Sequence, residues 1–227
     1  HGRSLGASGT NFGDELSRHY DGAVPEPAKL ASPILALAPP YVCAALNGGA
    51  AIALATVLRP GLGMDGDASA AAAYVTGHLV EWRAGWLLWM AAGLSLVVFY
   101  VWWARRLKGT LVRVALAISI LGLVADLGSE AALVLWLPER YAEVAAPALV
   151  VSGVAANGFY SLAGALLTLA TPGLPALLRV WAWGIWSCGG LLTASVILSL
   201  PLLAAVATAA LFALLCPWCV LVARRLG

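Results

Sequence analysis

Six long apolar runs, set apart by segments that carry charges and turn-forming residues, constrain this chain more than any other feature. A helix crosses the hydrocarbon core of a bilayer with about 20 apolar residues, rising about 1.5 Å at each. Runs of that length fall at 35–58, 84–104, 112–137, 145–170, 176–200 and 202–222. Breakers or charges close them: Arg59-Pro60-Gly61, Arg105-Arg106-Leu107-Lys108-Gly109, Pro138-Glu139-Arg140, Thr171-Pro172-Gly173, Pro201 and Arg224-Arg225. Charged residues make up 11% of the chain and hydrophobic ones 62%. Soluble domains carry about 25% charged residues, so this chain has too few to cover a water-facing surface. The expected fold is all-α: a polytopic integral membrane bundle of about six transmembrane helices, one domain over 32–227.

Two segments fall outside the spans. Residues 1–31 are polar, without the apolar core of a signal peptide, and read as a tail on the cytoplasmic side. Residues 68–82 are alanine-rich but carry Tyr74, His78 and Glu81. They are too polar at their end to cross a membrane and read as an interfacial or re-entrant helix. No internal repeat of the kind found in many transporters is visible.

Positive charge sets the orientation, because loops rich in Lys and Arg stay in the cytoplasm. Arg105, Arg106, Lys108 and Arg113 follow the second span, Arg179 opens the fifth, and Arg224 and Arg225 end the sixth. With six spans these lie on one side. Both termini are then expected in the cytoplasm, in a plasma (inner) membrane, and the arginine- and alanine-rich composition suggests a bacterium. Trp82, Trp136, Trp218, Trp102 and Trp103 fall near span ends, as interfacial tryptophans do.

The sharpest chemical feature is Asp126 with Glu130 in the third span. Four residues apart, they share one helix face. Asp126 precedes Leu137 by 11 residues, or about 16 Å of helix, which puts it near mid-bilayer. An ionised carboxylate there costs about 3 kcal/mol or more, and two on one face repel. At least one is expected to hold a proton at neutral pH, or the pair to share one. Acids at this depth serve proton or ligand paths, or act as hydrogen-bonding glue between helices. Asn157, Tyr160, Asn47 and Ser187 reach a similar depth in other spans, so a ligand or proton path through Asp126, Glu130, Asn157, Tyr160, Asn47 and Ser187 is one reading. A helix-packing layer is the other.

Two further sets carry possible chemistry. His78 and Glu81 share a helix face and, with Glu130, supply ligand types used by zinc, manganese or iron; a surface histidine beside an acid is the commoner case. Cys216-Pro217-Trp218-Cys219 is a C-x-x-C pair open to redox use, but it lies at the negative end of its helix, where the dipole disfavours a thiolate. Two small core residues beside a proline kink fit equally well. The series Trp82, Trp86, Trp89 and Trp181, Trp183, Trp186 could contact a flat cofactor such as a quinone or pigment, or face lipid or a neighbouring subunit.

The net charge of +2 gives no basis for nucleic-acid binding. No Gly-rich phosphate loop, Ser/His/Asp set or H-E-x-x-H string is present, and no span lysine could carry retinal. Three functions remain open. The first is a membrane protein whose buried polar centre binds or conducts a small ligand, ion or proton. The second is a non-catalytic accessory or scaffold subunit of a larger membrane complex. The third is a membrane oxidoreductase using Cys216 and Cys219 or a bound cofactor. The lipid bilayer is the one partner all three require.

Overall fold

A computed structural model describes residues 33–63, 67–137 and 139–226, with side chains from residue 38 onward. The expected tail at 1–31 lies outside the described residues. Within them the chain is helix and turn, with no strand. Six helical stretches are long and apolar enough to cross a membrane: Ala38–Leu62, Leu79–Ala104, Thr110–Leu135, Tyr141–Leu169, Ala176–Ile197 and Pro201–Leu226. These are spans one to six, and the protein is an all-α membrane bundle.

The spans pack in chain order, each against the next, and span six returns to span one, closing a ring. Span two also touches span four across the middle. It is the innermost helix: half of its apolar window is buried, against 28–33% for the others. The buried face of span two bears Trp82, Trp86, Phe99, Tyr100 and Trp103. Short connections at both ends account for this order, since they permit only antiparallel neighbours.

The segment after span one is a helix, Ala68–Gly77, and His78 separates it from span two. Span two starts at Leu79, five residues before the expected 84, because its first turn packs on the neighbouring hairpin. There the Trp82 indole donates to the Leu133 carbonyl and Arg83 Nε to the Val134 carbonyl, at 3.1 Å each. Those carbonyls end span three and have no helical partner of their own. Tyr141 Oη likewise donates to the Gly61 carbonyl (2.7 Å) and Tyr74 Oη to that of Val57 (2.8 Å).

At the other end, Arg106 Nε donates to the Leu226 carbonyl and Trp103 Nε1 to Thr171 Oγ1, at 3.0 Å each. Arg179 donates to the Pro172 carbonyl at 2.8 Å. The arginine-rich termini of spans two and six and the start of span five therefore meet at one end, here called the basic end. Of the tryptophans expected at span ends, only Trp136 is largely exposed (54%). Trp82, Trp102, Trp103 and Trp218 are core residues. An indole N–H needs an acceptor, which a helix terminus or a threonine provides inside the bundle.

Two spans contain π-helical turns, Leu54–Leu58 in span one and Val151–Ala156 in span four. The latter follows Pro147, which lacks the N–H for an i→i−4 bond. Glycines set the closest helix approaches. A Cβ on Gly164 of span four would run into the Trp186 indole of span five, whereas one on Gly190 meets nothing within 4 Å. Gly164→Ala should therefore cost about 1–3 kcal/mol. Gly190→Ala should change stability by no more than about 0.5 kcal/mol. Denaturant titration of both variants in detergent micelles checks the contrast.

Asp67 caps the Ala68–Gly77 helix, accepting from the Ala70 amide and the Ser69 hydroxyl at 2.9 Å each. The Ala70 amide, then Ser69, hold its carboxyl below the ordinary value of 3.8. A carboxyl depressed on folding stabilises above its unfolded value and loses that contribution as pH falls through its folded value. The protection factors of this helix's amides, taken against intrinsic exchange at each pH, should therefore fall once the pH drops below about 4. Asp67→Ala should show the lower protection at neutral pH.

Candidate functional site

The site forms where spans two, three and four meet. Asp126 and Glu130 lie on the buried stripe of span three with Ser119, Gly122 and Leu133. Asp126 is 4% exposed and Glu130 0%. Ser152 Oγ donates to Asp126 Oδ1 at 2.9 Å, and Tyr160 Oη to Oδ2 at 3.2 Å. Both donors come from span four. In a regular α-helix Ser152 and Tyr160 would point about 80° apart. The π turn that begins at Val151 advances by less per residue and brings the two hydroxyls toward one face.

Glycines make the room. A Cβ on Gly93 of span two would stand 2.8 Å from Asp126 Oδ2 and 3.2 Å from Tyr160 Oη. One on Gly122 would stand 3.0 Å from the Tyr160 ring. Tyr100 Oη donates to the Tyr160 carbonyl at 2.9 Å and fixes span two against span four. Glu130 is treated differently. Its carboxyl interacts with that of Asp126, but neither of its oxygens has an aligned hydrogen-bond partner. Among the described residues no basic side chain acts on either acid; the titratable groups around them are Tyr160 and, behind it, Tyr100.

Packed side chains close the bundle on both sides of this centre. Toward the basic end, Phe99, Tyr100, Trp103, Trp186 and Trp218 form one cluster with ring centroids 5.3–6.2 Å apart. Toward the opposite end stand Leu58, Val75, Trp82, Leu133, Leu137 and Tyr141. A groove of about 420 Å³ between spans three and four is lined by Ala125, Gly128, Ser129 and Val151, with Trp136 and Glu143 toward its end. Asp126 does not line it. At its floor Ser129 Oγ donates to the Asp126 carbonyl at 2.8 Å.

The structure joins Asp126, Glu130 and Tyr160 but not the other members of the expected path. Asn47 belongs to a knot between spans one and two, donating to the Cys43 carbonyl (2.9 Å), the Ala92 carbonyl and Ser95 Oγ (3.3 Å each). Asn157 ties span four to span five through the Gly189 carbonyl (2.7 Å) and Thr193 Oγ1 (2.9 Å). Ser187 is exposed on the outside of span five. Ser152 and Gly93 were not foreseen.

Neither a protein-family model, nor a curated protein, nor a solved structure matches the chain. Function must therefore be argued from these residues.

His78 and Glu81 are exposed at the bundle's end, away from the buried Glu130. The His78 ring stacks on Tyr74, with centroids 4.4 Å apart. Among the described residues no three His, Cys, Asp or Glu side chains converge as a metal set. The sulphur facing Cys219 is that of Cys43 on span one, 4.0 Å away, so any thiol chemistry of Cys219 involves another helix as well as Cys216. Of the tryptophan series, Trp82, Trp86 and Trp89 contact one another edge to face, and Trp89 reaches Phe212. Trp181 donates to the Leu214 carbonyl and Trp186 to Thr168 Oγ1. Trp183, 39% exposed, is the outward member.

Removing a donor from buried Asp126 leaves a polar atom unpaired. Tyr160→Phe should cost about 1–3 kcal/mol, and Ser152→Ala a similar amount. Asp126→Asn combined with Tyr160→Phe should cost less than the sum of the two. A double-mutant cycle on unfolding in micelles reads that coupling.

Proposed function

We propose that this protein binds and exchanges a proton at the Asp126–Glu130 pair, in a bundle that the bilayer otherwise seals. The observation that carries this reading is the unequal treatment of two adjoining buried acids. Asp126 accepts from two hydroxyls, whereas Glu130 has no donor. Two ionised carboxylates side by side in a medium of low dielectric, with no cation beside them, are excluded by their solvation cost and mutual repulsion. A proton on the pair removes one charge and lets one carboxyl donate to the other. The donor set also favours a proton over a metal: hydroxyls already occupy Asp126, and among the described residues no third acid or histidine joins.

The closed packing at both ends supports an occluded centre rather than an open conduit. The basic end would face the cytoplasm of a bacterial inner membrane, following the positive charges of Arg105, Arg106, Arg224 and Arg225. Acid at this site would then come from the far side or through rearrangement of the aromatic cluster.

Infrared spectroscopy of the protein in nanodiscs tests the reading. The carbonyl stretch of a protonated carboxyl should be present at neutral pH and disappear on alkaline titration. The double variant Asp126→Asn, Glu130→Gln should lack the band and still fold, because it removes two costly buried ionisable groups. A wild type without a titrating band, or a double variant that keeps it, would falsify the proposal.

A further inference from the structure

Glu130, whose neighbour is the Asp126 carboxyl, is not the one buried polar group here that lacks an aligned hydrogen bond. Trp86 Nε1, on span two, is also buried and unpaired. Two contacts between spans two and three bracket the facing stretches. Trp82 donates to the Leu133 carbonyl, and Gly93 stands against the Asp126 carboxyl. Trp82, Trp86 and Gly93 lie within about 40° of one another around span two, and Asp126, Glu130 and Leu133 within about 60° around span three. Trp86 lies between the two contacts on span two and Glu130 between them on span three, so both belong to the facing stretches. An unpaired donor and an unpaired carboxyl thus stand on facing buried stretches, yet they do not bond directly.

We infer that a single buried water joins Trp86 Nε1 to Glu130 and is the group that hands the proton to and from the carboxylate pair. The bridging molecule must accept from the indole and donate to the carboxylate, or accept from the carboxylic acid. Water does both, and buried waters ordinarily make about three hydrogen bonds to groups that otherwise lack them. A metal cation fits badly, because the indole N–H would point its positive end at it. Asp126, occupied by two hydroxyls, is the anchored member; Glu130, facing the water, is the exchanging one. The inference rests on the proton-binding reading and adds to it the identity of the exchange partner.

The experiment follows the same infrared carboxyl band in nanodiscs after transfer into heavy water and into ¹⁸O-labelled water. In wild type an O–H band that shifts with ¹⁸O should respond to Glu130→Gln. Trp86→Phe, which keeps the ring but loses the donor, should abolish that water band and slow hydrogen–deuterium exchange of the carboxyl at least tenfold. Trp181→Phe, whose N–H serves the Leu214 carbonyl between spans five and six, should leave both unchanged. If Trp86→Phe does not fold, wild-type protein carrying ¹⁵N-indole tryptophan supplies the second measurement: one indole N–H should cross-relax with water and move on Glu130→Gln. A Trp86→Phe variant with unaltered exchange, a carboxyl shift without any ¹⁸O-sensitive water, or indole resonances indifferent to Glu130→Gln would each overturn the inference. A titrating carboxyl band in wild type would still stand in those cases, so the water relay can fail while proton binding survives.

Discussion

Hydrocarbon offers no hydrogen-bond partner, so every polar group within the bilayer must find one inside the protein. The backbone meets this demand by staying helical through each span. Hydroxyls meet it by bonding back to their own helix, as Ser129 does to Asp126, Thr168 to Gly164 and Thr171 to Leu167. Indoles and phenols meet it at the carbonyls that helix ends leave free. Trp82 on Leu133 and Tyr141 on Gly61 are therefore both satisfied donors and clamps between elements. With that demand met nearly everywhere, the few groups that do not meet it stand out, and Trp86 and Glu130 are two of them.

The same constraint explains where the large aromatic residues sit. Burying apolar surface supplies little drive inside a bilayer, since lipid is as apolar as the protein interior, so close packing must hold the helices together. Gly164 lets span five lay the Trp186 ring on span four, and Trp186 in turn meets Tyr100 and Trp218. One glycine thereby supports an aromatic cluster reaching three other helices. Span two, which carries Phe99, Tyr100, Trp102 and Trp103, becomes the centre of the bundle although its mean hydropathy does not set it apart.

The six spans were legible from the sequence because length and apolarity decide membrane crossing, and these are properties of each run alone. Asp126, Glu130 and Tyr160 were legible for a related reason: depth follows from counting residues along a helix. Depth is only one coordinate. Asn47 and Asn157 were assigned to the same layer as Asp126, but they point into other helix pairs. Direction around the helix also depends on which face of each span meets its neighbours, and a residue count does not supply that. Ser152 was hidden by the π turn: with regular α-helical phase it falls on a different face from Tyr160. The signal that could have raised it is Pro147, which disturbs the ladder just upstream. Gly93 was invisible for a simpler reason, since a glycine's role depends on what approaches it.

The pairing of a saturated acid with an unsaturated one has a consequence for how the centre can work. If both carboxyls had two donors, the hydrogen bonds would hold both as anions and repulsion would strain the helix. If neither had a donor, both would be protonated and inert at neutral pH. On the proton-binding proposal, giving Ser152 and Tyr160 to Asp126 alone divides the labour: Asp126 is stabilised as the acceptor, and Glu130 takes the proton. Because those two hydroxyls reach Asp126 through a π turn, their grip depends on the phase of span four. A slip of that turn to regular α geometry would swing Ser152 from Asp126, equalise the two acids and move the proton's preferred position. The helical irregularity and the asymmetry of the acids are on this view one design, in which the phase of span four determines which carboxyl holds the charge.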